Sequence, residues 1–118
     1  MLFRSYLAKI CANICSSSTE SIQAICLHSL VRVILMQLEH TSDYDADIFF
    51  YTALANLLLS PNKENSKKAV ELGCLERVIR ASETSAFFKV KRMCAATITK
   101  VSADLIDLND KLGKRRNK

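Results

Sequence analysis

Apolar residues along the chain recur mainly at spacings of three and four, the signature of helices with one buried face. Leu2, Phe3, Tyr6, Leu7, Ile10 and Ile14 form the first such stripe and predict a helix to about Cys15. Ser16–Thr19 breaks it, and Ser17 with Glu20 fits a capping box that starts a new helix. That helix is expected to reach about Leu27, and a second to run from Ser29 to Glu39. A polar stretch, His40–Asp47, carries Asp43, Asp45 and Asp47 near the next helix start, where the helix dipole favours negative charge. Ile48–Leu59 is almost wholly apolar and predicts a buried helix, ended by Ser60-Pro61. Asn65–Leu72 reads as a short helix closed by Gly73 in the left-handed position. Cys74–Ala81 is the next helix, with a turn at Ser82–Ser85. Phe87, Val90, Cys94, Ile98, Val101, Leu105, Leu108 and Leu112 form the last stripe, a helix from about Ala86 to Leu112. Gly113–Lys118 is expected to be a disordered basic tail.

The pattern repeats. Ala12-Asn13-Ile14 returns as Ala55-Asn56-Leu57 and, more weakly, as Ala96-Thr97-Ile98, at spacings of 43 and 41 residues (56 − 13 and 97 − 56). A second block, Ala24-Ile25, Leu30 and Arg32-Val33-Ile34, returns 45 residues on as Ala69-Val70, Leu75 and Arg77-Val78-Ile79. Helical units with periods of about 40–47 residues point to stacked arrays, in which one unit cannot cover its own apolar face.

The order of helices is long, then short, medium, long, then the same three again, and within each unit the residues resemble armadillo repeats. The closest stretch is Asp45–Ser82: Ala-Leu-Ala-Asn-Leu (Ala53–Leu57) at the end of the third helix, a polar turn with Glu64-Asn65, then Ala69-Val70-Glu71 and the joining Gly73. Glu20–Gln37 looks like the first two helices of the preceding unit. The resemblance implies an all-α, right-handed α-solenoid over residues 1–112. Its parts would be a lone third helix at 1–16, a repeat at 17–59, and a repeat at 60–112 with an extended last helix, followed by the tail at 113–118. The sequence departs from the family pattern in three places. His28 stands at the glycine position of the first full repeat, so that junction should be less tightly bent; four residues inserted around Thr41–Asp47 should lengthen the loop before Asn56; and Thr97 replaces the asparagine of the last repeat.

The resemblance also implies a site. Third helices would line a concave groove, where an exposed asparagine on each can bond the amide and carbonyl of an extended peptide. Asn13 and Asn56 fall at that position. A structural role within the array is the other reading of both. Family members that bind nuclear-import signals carry tryptophan four residues earlier. Here those positions are Lys9, Thr52 and Met93 and the chain has no tryptophan, so an import-cargo receptor is not expected. Lys89, eight residues before Thr97, shares that helix face. The expected partner-facing line is therefore Lys9, Asn13, Thr52, Asn56, Lys89, Met93 and Thr97.

Composition narrows the function. The 118 residues form one domain with 49% hydrophobic residues, and only two glycines and one proline, which suits long helices. The net charge of +5 is concentrated in Lys89, Lys91 and Arg92 and in Lys114, Arg115, Arg116 and Lys118. The first group, with Lys100, shows no interleaved exposed aromatic residue and reads as a solvated face rather than a nucleic-acid platform. The second is a candidate localisation signal or a solubilising end. Five cysteines, an odd number inside apolar stretches, suit reduced thiols of the cytoplasm or nucleus. Cys11, Cys15, Cys26 and His28 lack the loop-borne pairing of structural zinc sites, and the cysteines read as buried, inert thiols. The aspartates Asp43, Asp45 and Asp47 lack the glycine and distal glutamate of a calcium loop. The two glycines lie 40 residues apart, so there is no phosphate loop, and neither His28 nor His40 belongs to a recognisable triad. Arg4, Lys9 and Asn13 interrupt the apolar start, which does not read as a secretory signal.

These observations predict a non-enzymatic protein-interaction module, without cofactor or metal, that binds a protein or extended peptide along its concave face. A structural subunit of a larger cytoskeletal or ciliary assembly and a nucleic-acid-binding array are the alternatives. The apolar N-terminal face, with Leu2, Phe3, Tyr6 and Leu7, is expected to pack on another chain, a copy of itself or further repeats.

Overall fold

A computed structural model describes residues 2–17, 24–40 and 43–116, with side chains at 5–14, 27–40 and 43–104. Within these residues the chain forms six helices: α1 (Leu2–Ser17), α2 (Ala24–His40), α3 (Tyr44–Leu58), α4 (Lys63–Glu71), α5 (Cys74–Thr84) and α6 (Phe88–Arg116). None of them is long and apolar enough to cross a membrane.

α3 is the centre of the molecule, and every other helix packs against it. Its contact with α1 is the most extensive of all helix pairs, and α6 lies against both α3 and α5. Phe50, Ala53, Leu54, Leu57 and Leu58 of α3 are buried, together with Leu27, Val31 and Ile34 of α2, Val78 of α5 and Val90 and Cys94 of α6. Each fully buried Leu, Ile or Phe side chain contributes about 1.5–3 kcal/mol, so this shared interior is the main source of stability.

The helix ends follow local chemistry. The Asn62 side chain accepts from the amides of Glu64 (3.1 Å) and Asn65 (3.3 Å), so α4 starts two residues before the Asn65 expected from sequence. Gly73 adopts φ 96°, ψ 10°, and its left-handed backbone separates α4 from α5. Its amide bonds Val70 O (3.1 Å), while its carbonyl accepts from the amide of Arg77 (3.1 Å). The Ser85 hydroxyl accepts from the amide of Phe87 (3.1 Å) just before α6.

Besides the α4 start, the structure differs from the sequence expectations at five points, the first being that α1 continues through Ser16 to Ser17, where a break was expected. No break occurs near His28, and α2 runs unbroken through it. With no glycine there, nothing favours the left-handed turn that Gly73 makes, and the helix continues. The four inserted residues near Thr41–Asp47 do not lengthen a loop. α3 begins at Tyr44, four residues before the Ile48 expected. The inserted residues add a turn to α3, with Asp45 and Asp47 in its first turn as the dipole favours. α5 continues past Ala81 to Thr84. α6 continues past Leu112 to Arg116, through Gly113. Basic residues there complement the negative end of the helix dipole and offset the cost of one glycine.

Some expectations lie outside the described residues: Glu20 of the capping box, residues 117–118, and the side chains of Leu2, Phe3, Cys15, Cys26, Leu105, Leu108 and Leu112.

Cys11, Cys74 and Cys94 are buried free thiols. Burial raises all three, Cys74 and Cys94 to about 12. They are protonated and inert at neutral pH.

Two predictions follow from these local features. Replacing Gly73 with alanine places its Cβ in open space. The cost is backbone strain alone, about 1–2 kcal/mol in urea unfolding, and asparagine in its place recovers part of it. The raised thiols also act on stability. In the unfolded chain they lose their protons first as pH rises, so the folded state binds more protons there. Their contribution is intact below the ordinary thiol range and declines from about pH 9 toward 12, and a falling melting temperature across that range checks it.

Candidate functional site

The site predicted from sequence is a row across α1, α3 and α6. Residues four apart share one helix face, so Lys9 and Asn13 project together from α1, Thr52 and Asn56 from α3, and Lys89, Met93 and Thr97 from α6. The structure joins these sets by direct contacts. The Lys9 ammonium lies 5.5 Å from the ring centre of Phe49 on α3 and 5.7 Å from that of Tyr6. The Thr52 hydroxyl donates to the Ile48 carbonyl (2.7 Å) and lies 3.5 Å from the Met93 sulfur. The backbone fixes the Thr52 rotamer, and the thioether fills the space beside it.

Exposure varies along the row. Lys9, Asn13 and Lys89 are exposed, and Thr52, Asn56 and Met93 are half-buried. Thr97 is only 5% exposed, and its hydroxyl donates to the Met93 carbonyl of its own helix (2.9 Å). It supports the floor and offers no surface to a partner. The part of the row that reaches the surface is therefore Lys9, Asn13, Thr52, Asn56, Lys89 and Met93.

The row is a shallow surface strip, not a cavity. Two concavities of the molecule lie elsewhere. One, about 540 Å³, runs along α2 beside Leu72 and is lined by His28, Val31, Leu35 and Met36. The other, about 230 Å³, lies between α3 and α5 and includes Asp47, Tyr51, Arg77 and Arg80. An extended peptide needs no enclosed pocket, since its backbone can bond along a surface.

The basic face of α6 holds a feature missed from sequence. Phe88 is 74% exposed, with the Arg92 guanidinium 5.8 Å from its ring centre. The expectation of no exposed aromatic among these basic residues is thus corrected. Phe88 follows Phe87, which turns the other way and meets Tyr44 edge-on at 5.3 Å. Adjacent aromatic residues at a helix start cannot both face the core, and that was the available sequence signal. Among the described residues, no group of three His, Cys, Asp or Glu could hold a metal.

A polar knot forms on Arg77, which the sequence marked only as part of a repeat. Its Nη2 donates to the Leu38 carbonyl (2.9 Å), Nη1 to Glu39 (2.9 Å) and Nε to the Tyr51 hydroxyl (3.3 Å). Leu38 lies in the last turn of α2, where carbonyls lack intrahelical partners. One guanidinium thereby ties α5 to the end of α2 and the middle of α3. Burial raises the Tyr51 phenol, opposed by the hydrogen bond and charge of Arg77.

Comparison of the chain with family models, curated proteins and solved structures finds no match.

The knot is testable. Because Glu39 is largely exposed, its ion pair with Arg77 contributes little. The bonds to Leu38 and Tyr51 are the more sheltered ones, so Arg77→Met is expected to cost about 1–3 kcal/mol in urea unfolding. Glu39→Gln is expected to cost well under that.

Proposed function

We propose that this chain is an armadillo-like segment of a right-handed α-solenoid that works as a protein-interaction module. It binds an extended partner segment along the row Lys9, Asn13, Thr52, Asn56, Lys89 and Met93. The supporting observation is the common register of that row across three helices, joined by the Lys9–Phe49 and Thr52–Met93 contacts. Asn13 is exposed, and the half-buried Asn56 side chain makes no hydrogen bond among the described residues. The Asn56 amide can therefore donate to one peptide carbonyl and accept from one peptide amide.

On this reading the work is recognition, without catalysis, cofactor or metal, and its setting is the cytoplasm or nucleus, where buried thiols such as Cys74 stay reduced. The alternative of a fixed contact in a larger assembly draws on a different observation, the exposed apolar stripe on α1.

The test uses peptides selected from a random display library on the full chain. Their affinity is then measured for the Asn13→Ala, Asn56→Ala double variant, with helicity followed by circular dichroism. The proposal expects roughly a tenfold or greater loss at unchanged helicity, the scale of about one hydrogen bond. Equal binding by the variant means the peptides use another surface.

A further inference from the structure

The three long helices share a finer register than the row alone. With offsets of 43 and 41 residues, Tyr6, Ile10 and Ile14 on α1 correspond to Phe49, Ala53 and Leu57 on α3, and to Val90, Cys94 and Ile98 on α6. On α3 and α6 these residues are buried or half-buried. On α1 they are 61%, 54% and 43% exposed. The reverse holds on the opposite side of each helix. Ala8, Cys11 and Ala12 on α1 and Tyr51 and Leu54 on α3 are buried, with Ala55 half-buried, yet their counterparts on α6, Arg92, Ala95 and Ala96, are exposed.

Each helix thus has a backward and a forward face, and each internal junction covers one of each. Phe49, on the backward face of α3, lies against α1, whose own buried side is small: Ala8, Cys11 and Ala12. The two open ends repeat that pairing of bulky on small. α1 presents Tyr6, Ile10 and Ile14, and α6 presents Ala95 and Ala96 with Arg92 at the edge. Arg92 already lies over one aromatic ring, Phe88, and Tyr6 supplies another of the same kind.

We infer that the α1 stripe docks on the α6 face of a second copy of this chain, continuing the stack end to end. The two surfaces differ, so the contact is heterologous, and each added copy leaves one of each face open. Both ends are basic, with Lys9 beside the stripe and Lys89, Lys91, Arg92 and Lys100 on α6. Like charges oppose the contact at low ionic strength, so added salt strengthens it by screening, opposite to the usual behaviour of a charge-driven contact.

Sedimentation velocity of the full chain from micromolar to millimolar concentration tests this, with circular dichroism confirming the fold of each variant. The average mass is expected to rise with concentration and with salt, without settling at a dimer. Ile10→Asp, which spoils only the α1 face, and Ala96→Arg, which spoils only the α6 face, are each expected to remain monomeric. Mixed in equal amounts they form a one-to-one pair and nothing larger, because each retains one working face. Should either substitution disturb the fold, Tyr6→Ser and Ala95→Arg carry the same expectation. Monomers throughout the range overturn the inference. So does self-association that survives Ala96→Arg, which would show two α1 faces pairing with each other, and so does a mixture that forms no pair.

Discussion

A helix with one apolar face can be covered by one neighbour, but α3 is apolar nearly all round and requires cover on every side. Every other described helix packs on it, and its Phe50, Ala53 and Leu54 are inaccessible to solvent. This requirement organises the molecule. α1 closes one side of α3, α6 the other, and α2, α4 and α5 complete the shell. The Arg77 guanidinium then fixes three of these elements with directional bonds that apolar packing does not supply. Losing the cover on either side of α3 would expose a surface with no polar alternative.

The same constraint shapes the candidate site. Side chains between the forward and backward faces of each long helix are neither fully buried nor free, and Lys9, Thr52 and Met93 occupy that border. Their contacts bring three helices into one strip. Thr97 holds the equivalent place but sinks below the surface, so the strip narrows toward the end of α6. Recognition by such a strip would depend on backbone bonding by Asn13 and Asn56 more than on enclosure, in keeping with cavities that lie on other sides of the molecule.

Much of this was legible in the residues. The stripes at spacings of three and four located the long helices, and Gly73 marked the left-handed junction because few other residues adopt that backbone cheaply. The return of Ala-Asn-Ile as Ala-Asn-Leu placed α1 and α3 in related roles, and they pack together. Helix starts were less legible. Asn62 caps α4 through its own side chain, a bond no periodicity reveals. Tyr44–Asp47 look like polar loop but complete a turn of α3, because helix dipole and burial outweigh their polarity. His28 shows the opposite case, where the repeat suggested a break and the backbone continued for want of a glycine. The Arg77 knot was hidden because its partners lie 26 to 39 residues away in sequence.

The claim beneath all of this is that α1, α3 and α6 lie side by side in one register. Nuclear Overhauser spectroscopy on methyl-labelled protein reads it directly at the Thr52–Met93 junction. A cross-peak between the Met93 ε-methyl and the Thr52 γ-methyl is the predicted result, given a sulfur-to-hydroxyl distance of 3.5 Å. A Met93 methyl that reports only on its own helix or on α5, with nothing from α3, would contradict the arrangement.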